Sequence, residues 1–231
     1  MSARKPIVAI DGPVGVGKSS VAASLAQRLG YVYIDTGALY RAVTLKALQA
    51  NMNLGDQDAV AALAENIEIR FVREDDELRT VCDGEDVSEA IRAPEVSRAT
   101  SPIADNVKVR ERLVAMQQEM GRVGGVVMEG RDIGTVVFPD AEIKIYLNAD
   151  PKIRAQRRFQ QLVEKGKPAD LETTYQDLME RDRRDAMRPV GALKKADGAI
   201  EFDSSNLNQQ QVVEQLYDFV ITHPSATSHL C

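Results

Sequence analysis

Residues 12–19 have the composition and spacing of a loop that binds the phosphates of a nucleotide. They read Gly-Pro-Val-Gly-Val-Gly-Lys-Ser, with the first glycine placed ahead of a Gly-Lys-Ser end. Glycines lack a Cβ atom, so such a loop can turn tightly and present its backbone N–H groups to phosphate oxygens. In this pattern Lys18 bridges the β- and γ-phosphates, and the hydroxyl of Ser19 coordinates Mg²⁺. The alternative is a glycine-rich turn with a structural role only.

The residues on either side supply the context that this motif requires. The apolar run 6–10 predicts a buried strand before the loop, and Val21, Leu25 and Leu29 begin a helical pattern after it. The positive end of that helix adds to the attraction for phosphate. We therefore predict a site for a nucleoside triphosphate. Its predicted contacts are Gly12, Pro13, Val14, Gly15, Val16, Gly17, Lys18, Ser19 and Ser20.

Two further segments carry arginines where an anion would be stabilising. Arg41 follows Asp35-Thr36-Gly37 within the first turn of a predicted helix, where a positive charge opposes the helix dipole. An anion bound there would account for this placement, and a solvated surface arginine is the alternative. Arg131 and Asp132 follow a predicted strand and a glycine, which places them at the carboxyl end of the sheet. An ion pair inside a turn is the alternative for these two.

Charged residues also share faces of two helices in the second half of the chain. Arg181, Asp185 and Arg188 are spaced so that a helix brings them onto one stripe. A second stripe is formed by Arg154, Arg157 and Arg158. Stripes of this kind are commonly solvated faces. However, a triphosphate donor and a phosphorylated acceptor bring several negative charges together, and arginines would offset their repulsion.

Short apolar runs alternate with helical patterns, which predicts an α/β fold with a parallel sheet flanked by helices. The predicted strands are 6–10, 31–34, 125–129, 142–147 and 198–202. The predicted helices are 18–29, 38–50, 103–121, 151–187 with a break at Gly166 and Pro168, and 208–221. In such sheets ligands bind beyond the carboxyl ends of the strands, where residues 12–19 lie.

Residues 67–92 depart from this alternation. They contain two short strand-like runs, 67–72 and 78–81, with polar turns at Asp75-Asp76 and Asp83-Gly84. Strands joined by tight turns are typical of antiparallel pairing. We therefore predict a small antiparallel insert built onto the main sheet.

The composition is that of a soluble globular protein, with 44% hydrophobic and 28% charged residues in a chain of 231. A net charge of −6 argues against a nucleic acid polymer as the partner. Cys82 and Cys231 make no disulfide framework, and no apolar stretch approaches the length of a membrane span. We therefore expect a cytoplasmic protein without membrane contact, and a monomer, since the sequence has no evident self-complementary apolar patch.

Taken together, these segments resemble those of bacterial cytidylate kinases, which are nucleoside-monophosphate kinases of the P-loop NTPase group. The resemblance rests on residues 10–18, 35–41 and 130–140 and extends from about residue 6 to residue 221. The segment Gly-Arg-Asp-Ile-Gly-Thr-Val-Val-Phe-Pro-Asp at 130–140 is far more specific to that family than the phosphate loop. Further matching segments are 85–88, 91–92, 94–96 and 181–188.

The resemblance implies a five-stranded parallel P-loop kinase sheet with a lid and an insert. The implied core comprises residues 1–63, 99–150 and 188–231. Residues 64–98 would form the inserted lobe that binds the nucleoside monophosphate, and residues 151–187 the lid and the helix that follows it.

The resemblance also implies a role for each site residue. The implied catalytic residues are Lys18, Arg131, Arg188, Arg157 and Arg158, the last two being lid arginines over the donor phosphates. The acceptor phosphate would contact Arg41, Arg131 and Arg188. The cytosine would lie near Thr36, Ser101, Arg110 and Asp132, and the ribose near Arg181 and Asp185. Tyr40 belongs to the same predicted substrate site.

The implied reaction is phosphoryl transfer from ATP, with Mg²⁺, to the small-molecule acceptors CMP or dCMP. Three other functions remain open at this point. A regulatory GTPase is one, although the chain lacks the Asn-Lys-x-Asp element that reads guanine. A sensor that binds ATP and transfers nothing is the second, and a kinase for UMP, dTMP or a small non-nucleotide acceptor is the third.

Overall fold

A computed structural model of the protein describes residues 4–74 and 77–227. The strands in these residues are β1 Ile7–Asp11, β2 Val32–Asp35, β3 Ile69–Glu74, β4 Glu77–Cys82, β5 Glu85–Asp86, β6 Val126–Gly130, β7 Ile143–Asn148 and β8 Ile200–Asp203. The α-helices are α1 Lys18–Leu29, α2 Thr36–Gln49, α3 Gln57–Asn66, α4 Pro94–Asp105, α5 Val107–Gly121, α6 Pro151–Glu164, α7 Leu171–Met187, α8 Gln209–Thr222 and α9 Pro224–Thr227. A 3₁₀ turn covers Ala90–Arg92 and a π-helical turn covers Ile133–Val137.

Within the described residues the strands form two sheets. The larger is parallel and has the order β2-β6-β1-β7-β8. Every residue of β1 and of β6 is buried, as expected for strands covered on both faces. In the register, Val8 lies opposite Val127 on one side and Ile143 on the other. The predicted α/β fold with five parallel strands is confirmed.

The predicted helix at 103–121 is confirmed over α5, but residues 103–105 belong to α4, a separate helix that ends before Asn106. The backbone of Asn106 is extended, and its side chain accepts hydrogen bonds from the N–H groups of Lys108 and Val109, so it caps α5. The preceding α4, and α3 before it, are absent from the predicted elements. The break predicted between residues 151 and 187 is confirmed, since α6 ends at Glu164 and α7 begins at Leu171.

The chain divides into two compact units. The first comprises the residues up to Ile34 and those from Gly121 onward. Its buried core includes Val8, Leu25, Ile145 and Leu216, so helices α1 and α8 pack with the parallel sheet. The predicted lid, α6 and α7, belongs to this unit.

The second unit comprises Asp35–Met120. Its core is built by α2 with the helices that follow, and it includes Leu39, Val60, Ile103 and Leu113. The antiparallel sheet β3-β4-β5 belongs to this unit and confirms the predicted antiparallel strands, but it is a sheet of its own and is not built onto the main sheet as predicted. The turn predicted at Asp83-Gly84 is present, and both residues have positive φ. The division into core, insert and lid by function stays a prediction.

Three smaller expectations concern cysteines, a turn and membrane contact. Cys82 is buried, and burial raises the pKa of its thiol to about 11. Cys231 and the turn predicted at Asp75-Asp76 lie outside the described residues. Among residues 4–74 and 77–227, no helix is long and apolar enough to cross a membrane.

Candidate active site

The loop 12–17 connects β1 to α1 and depends on its glycines. Gly12, Gly15 and Gly17 all have positive φ. A Cβ atom on Gly12 would lie 2.0 Å from the carbonyl oxygen of Leu147 on β7, so backbone packs directly on backbone there. Helix α1 begins at Lys18 without a side-chain cap, which leaves its first N–H groups directed toward the loop. This geometry is suited to phosphate.

Lys18 is buried beneath this loop. Its Nζ donates a hydrogen bond to the carbonyl oxygen of Pro13 at 2.8 Å. Burial, and after it the nearby charge of Arg131, lower the pKa of Lys18 to about 7, against the opposing charges of Glu129 and Asp11. The lysine therefore lies in a desolvated site, where a bound anion would stabilise its charged form.

Ser19 points its hydroxyl at a carboxylate. The Oγ atom donates a hydrogen bond to Oε1 of Glu129 at 2.6 Å, and the hydroxyl of Tyr33 approaches the same oxygen at 3.4 Å. Oxygen atoms of this kind suit Mg²⁺. No group of three or more His, Cys, Asp or Glu side chains that could hold a metal occurs in the part of the chain described, so nucleotide phosphates would have to complete the coordination.

Asp11, the last residue of β1, anchors the turn that carries Arg131 and Asp132. Its two oxygens accept hydrogen bonds from the N–H groups of Ile133 and Gly134, both at 2.8 Å. Burial raises the pKa of Asp11 to about 6, although these two hydrogen bonds act to lower it. The end of β1 and the predicted substrate-binding turn are thereby held together.

Arg131, Asp185 and Arg188 form one ion-pair network. Nε of Arg131 donates to Oδ2 of Asp185 at 2.8 Å, and an Nη atom of Arg188 donates to Oδ1 at 2.9 Å. The side chains of Asp185 and Arg188 are almost fully buried. The structure therefore brings together three residues that the sequence analysis assigned to the acceptor.

The electrostatics of this network favour its charged form. Burial alone raises the pKa of Asp185, but the charges of Arg131, Arg188 and Arg181 outweigh burial, and the pKa lies below its usual value. Burial likewise lowers the pKa of Arg131, and the charge and hydrogen bond of Asp185 outweigh it, so that this pKa is raised. Arg181 is exposed on α7, and Asp132 is buried in the turn before Ile133–Val137.

The remaining predicted acceptor residues belong to the second unit. Thr36 and Tyr40 are buried on α2, and the guanidinium of Arg110 lies 5.7 Å from the centre of the Tyr40 ring. Arg41 donates to Asp35, the N-cap residue of α2, at 2.7 Å. Because α2 begins at Thr36, Arg41 lies in its second turn and not in the first turn as predicted, and the capping carboxylate of Asp35 offsets its charge. Ser101 is half-buried on α4.

The predicted lid arginines have different surroundings. Arg157 donates to the carbonyl oxygens of Ser204 and Leu207, at 2.7 and 3.0 Å, and so ties α6 to the loop after β8. Arg158 is exposed. The roles predicted for both residues, like those of the other site residues, stay predictions.

Three residues of this site, Asp11, Glu129 and Asp182, were given no role by the sequence analysis, and Arg154 was named there only as part of a charged stripe. Asp11 and Glu129 are charged residues at or next to the ends of buried strands, and that position was a usable signal. Arg154 and Asp182 bond to Val14 of the phosphate loop, at 2.8 and 3.0 Å. No spacing in the sequence indicates these two contacts, because 140 and 168 positions separate the partners.

Comparison with known proteins decides the family. A family model described as "Cytidylate kinase" matches residues 8–222. The chain belongs to the cytidylate kinase family. The members of this family are nucleoside-monophosphate kinases, and the chain is therefore a phosphotransferase.

Individual relatives agree along nearly the whole length. A cytidylate kinase of Citrifermentans bemidjiense is 48% identical over 208 residues, which are 90% of this chain and 89% of the relative. The cytidylate kinase of Bacillus subtilis is 43% identical over 217 residues, covering 94% and 97%. Among solved structures, an uncharacterized protein from Eubacterium ventriosum matches 94% of this chain and 99% of its own, with 11% identity and a TM-score of 0.51. That likeness concerns the fold alone.

Proposed function

We propose that this member of the cytidylate kinase family transfers the γ-phosphoryl group of ATP to CMP and dCMP, forming ADP with CDP or dCDP. The observation that carries the proposal is the grouping of Lys18, Arg131 and Arg188 in the first unit. There, Lys18 is buried, and the nearby charge of Arg131 contributes to its lowered pKa. Arg131 and Arg188 both pair with Asp185. Cationic groups placed in this way are suited to two phosphate-bearing substrates.

The donor is assigned to the phosphate loop. The backbone N–H groups of residues 15–19 and the ammonium group of Lys18 would bind the triphosphate. Mg²⁺ would be held by the hydroxyl of Ser19 and by phosphate oxygens, and would neutralise charge on the transferred group. Arg157 and Arg158 are proposed to act from the lid.

The acceptor is assigned to the arginines that remain. Arg131, Arg188 and Arg41 are proposed to bind the CMP phosphate. Asp185 would accept a hydrogen bond from a ribose hydroxyl, since a carboxylate only accepts. The proposed base-reading and further ribose contacts are Thr36, Tyr40, Ser101, Arg110, Asp132 and Arg181.

No general base is required. The second pKa of a phosphate monoester is about 6, so the attacking oxygen of CMP is mostly ionised at neutral pH. What the protein supplies is placement and neutralisation of charge. Arginines are suited to this, because a guanidinium stays protonated and its planar fork matches two phosphate oxygens.

The proposal is tested by an assay coupled to ADP release, run with CMP, dCMP, UMP, AMP and dTMP as acceptors. We expect CMP and dCMP to give the highest kcat/KM, and the variant Lys18→Met to abolish release with every acceptor. Slow hydrolysis of GTP without an effect of CMP would instead support a GTPase. ATP binding without ADP release would support a sensor, and a preference for UMP or dTMP would reassign the acceptor.

We further propose that the enzyme acts as a monomer in the cytoplasm. Its exposed large apolar side chains are spread over several elements, as Val32, Val107, Val163 and Ile221 illustrate. Light scattering coupled to gel filtration measures the mass directly. A mass near twice 25.4 kDa would contradict the monomer.

A further inference from the structure

We propose that Asp182 and Arg154 couple the phosphate loop to the acceptor residues on α7, so that the donor and the acceptor bind cooperatively. Both would be positioning residues, since each acts through Val14 rather than on a substrate. This inference rests on the proposed function, because it takes the phosphate loop as the donor site and α7 as part of the acceptor site.

The contacts enclose one residue of the loop from both sides of its backbone. The N–H group of Val14 donates to Oδ1 of Asp182 at 3.0 Å, and Nη1 of Arg154 donates to the carbonyl oxygen of Val14 at 2.8 Å. Arg154 and Asp182 also pair with each other, at 2.5 Å. Their side chains are only 5% and 15% exposed, so solvent screens this pair weakly.

Packing around the same residue leaves little freedom. A Cβ atom on Gly15 would lie 3.3 Å from Leu178 of α7 and 3.6 Å from Arg154 of α6, so both lid helices rest on the tip of the loop. Nε of Arg154 donates in addition to the carbonyl oxygen of Ala149, just before α6. The loop cannot change conformation at Val14 and Gly15 without moving these helices.

Helix α7 connects Asp182 to the acceptor residues. Asp185 lies three residues, or about one helical turn, after Asp182, and it holds Arg131 and Arg188. Because a helix is stiff over one turn, the contact between Asp182 and Val14 fixes the position of Asp185, along the helix axis, relative to those arginines. Acceptor groups are thereby positioned relative to the donor loop.

The sign of the coupling follows from the way in which the first ligand restricts the motion of the protein. A triphosphate bound to the loop restricts its backbone, and through Asp182 and Arg154 it also restricts α7. An acceptor that binds afterward loses less conformational entropy, which makes the coupling positive. By linkage, the acceptor must tighten donor binding by the same factor.

The test is calorimetric titration of the full-length protein with CMP, in the presence of Mg²⁺, with and without a non-hydrolysable ATP analogue. For the wild-type protein we expect the analogue to tighten CMP binding about tenfold, within the usual range of coupling. For Asp182→Leu, which has no oxygen to accept from the N–H group of Val14, we expect this factor to fall below about twofold. The matched control is Asp177→Leu, which replaces an exposed carboxylate on the same helix and should retain the wild-type factor.

A variant that leaves Arg154 buried without its partner is prone to unfolding, so a second one is needed. The double variant Arg154→Met with Asp182→Leu removes both charges and both hydrogen bonds to Val14, and thermal unfolding checks the fold of each variant. Undiminished coupling in either folded variant overturns the inference. Wild-type protein that binds CMP equally well with and without the analogue, or more weakly with it, overturns it too. Failure of the wild-type protein to bind CMP in both titrations would instead overturn the proposed function, and the inference with it.

Discussion

Arg131 and Asp185 are 54 positions apart in the sequence and form an ion pair at 2.8 Å. Arg188 occupies the other oxygen of the same carboxylate. Two guanidinium groups therefore share one carboxylate, and the cluster keeps an excess positive charge. A phosphate monoester would complete its neutralisation, which is how the network could hold an acceptor while remaining stable without one.

The first prediction concerns Arg131. In Arg131→Ala the carboxylate of Asp185 retains Arg188, so we expect thermal unfolding to shift by only a few degrees. Loss of a guanidinium that stabilises transferred charge should lower kcat/KM for CMP by at least about 100-fold. Steady-state kinetics and a melting curve on one preparation measure both. Arg183→Ala, which removes an exposed arginine of α7, is the control and should stay within about twofold. Near-normal turnover of Arg131→Ala would remove this residue from the acceptor site.

The second prediction concerns the protonation of Lys18. With a pKa of about 7, this lysine is mostly neutral at pH 8 in the protein without nucleotide. Bound triphosphate favours the charged form, so ATP binding at pH 8 should take up about one proton. The phosphates of ATP contribute little, since their pKa is near 6. Calorimetry in buffers of different ionisation enthalpy counts the protons. Lys18→Arg, which is always charged, should take up none, and equal uptake by both proteins would assign the proton elsewhere.

The third prediction concerns Asp11 and the pH dependence of stability. Its pKa in the folded protein, about 6, is above the ordinary value of 3.8, so the folded state binds this proton first as the pH falls. The contribution of Asp11 to the free energy of unfolding is therefore larger at low pH and is lost as the pH rises through 6. Relative to Asp11→Asn, the wild-type protein should gain about 1 kcal/mol between pH 7 and pH 5. Urea unfolding at the two pH values measures this, and a difference independent of pH would contradict it.

The fourth prediction separates the two lid arginines. Arg157→Ala removes the hydrogen bonds to Ser204 and Leu207 and leaves their carbonyl groups without this donor, so both stability and kcat should fall. Arg158→Ala removes an exposed side chain, so we expect kcat to fall with the melting temperature unchanged. Parallel melting curves and kinetics distinguish these outcomes. Unchanged kcat in Arg158→Ala would exclude it from the donor site.

Local patterns predicted those parts of the fold that are governed by local physics. Helix α1 was predicted with its observed ends, because the glycines before Lys18 and Gly30 after Leu29 mark both termini. The five strands of the parallel sheet were predicted from short runs rich in apolar residues, which are continuous in β1 and alternate with polar or charged residues in β7 and β8. In contrast, α4 was missed because it is largely polar and contains Pro102, so its composition is not that of a typical helix, although its apolar residues do share one face.

For the candidate site, too, the sequence predicted only groupings that depend on local spacing and on the order of strands and loops. Spacing predicted that Arg181, Asp185 and Arg188 share one helical stripe, although α7 ends at Met187 and Arg188 is its C-cap residue. The order of strand and loop placed Lys18 at the carboxyl end of β1. Neither kind of argument could show that Arg131 pairs with Asp185, or that Asp182 bonds to Val14. Contacts of that type depend on how distant segments pack, and a sequence pattern holds no information about the distance between two such segments.

Gly12 has a practical consequence for anyone who needs a catalytically dead protein. Any side chain at that position collides with a main-chain oxygen of the neighbouring strand, so its replacement would damage the scaffold together with the chemistry. An inactive reagent for crystallography, pull-down or complementation work is better made at the lysine six residues later. There the ammonium group can be deleted while the surrounding chain keeps its course.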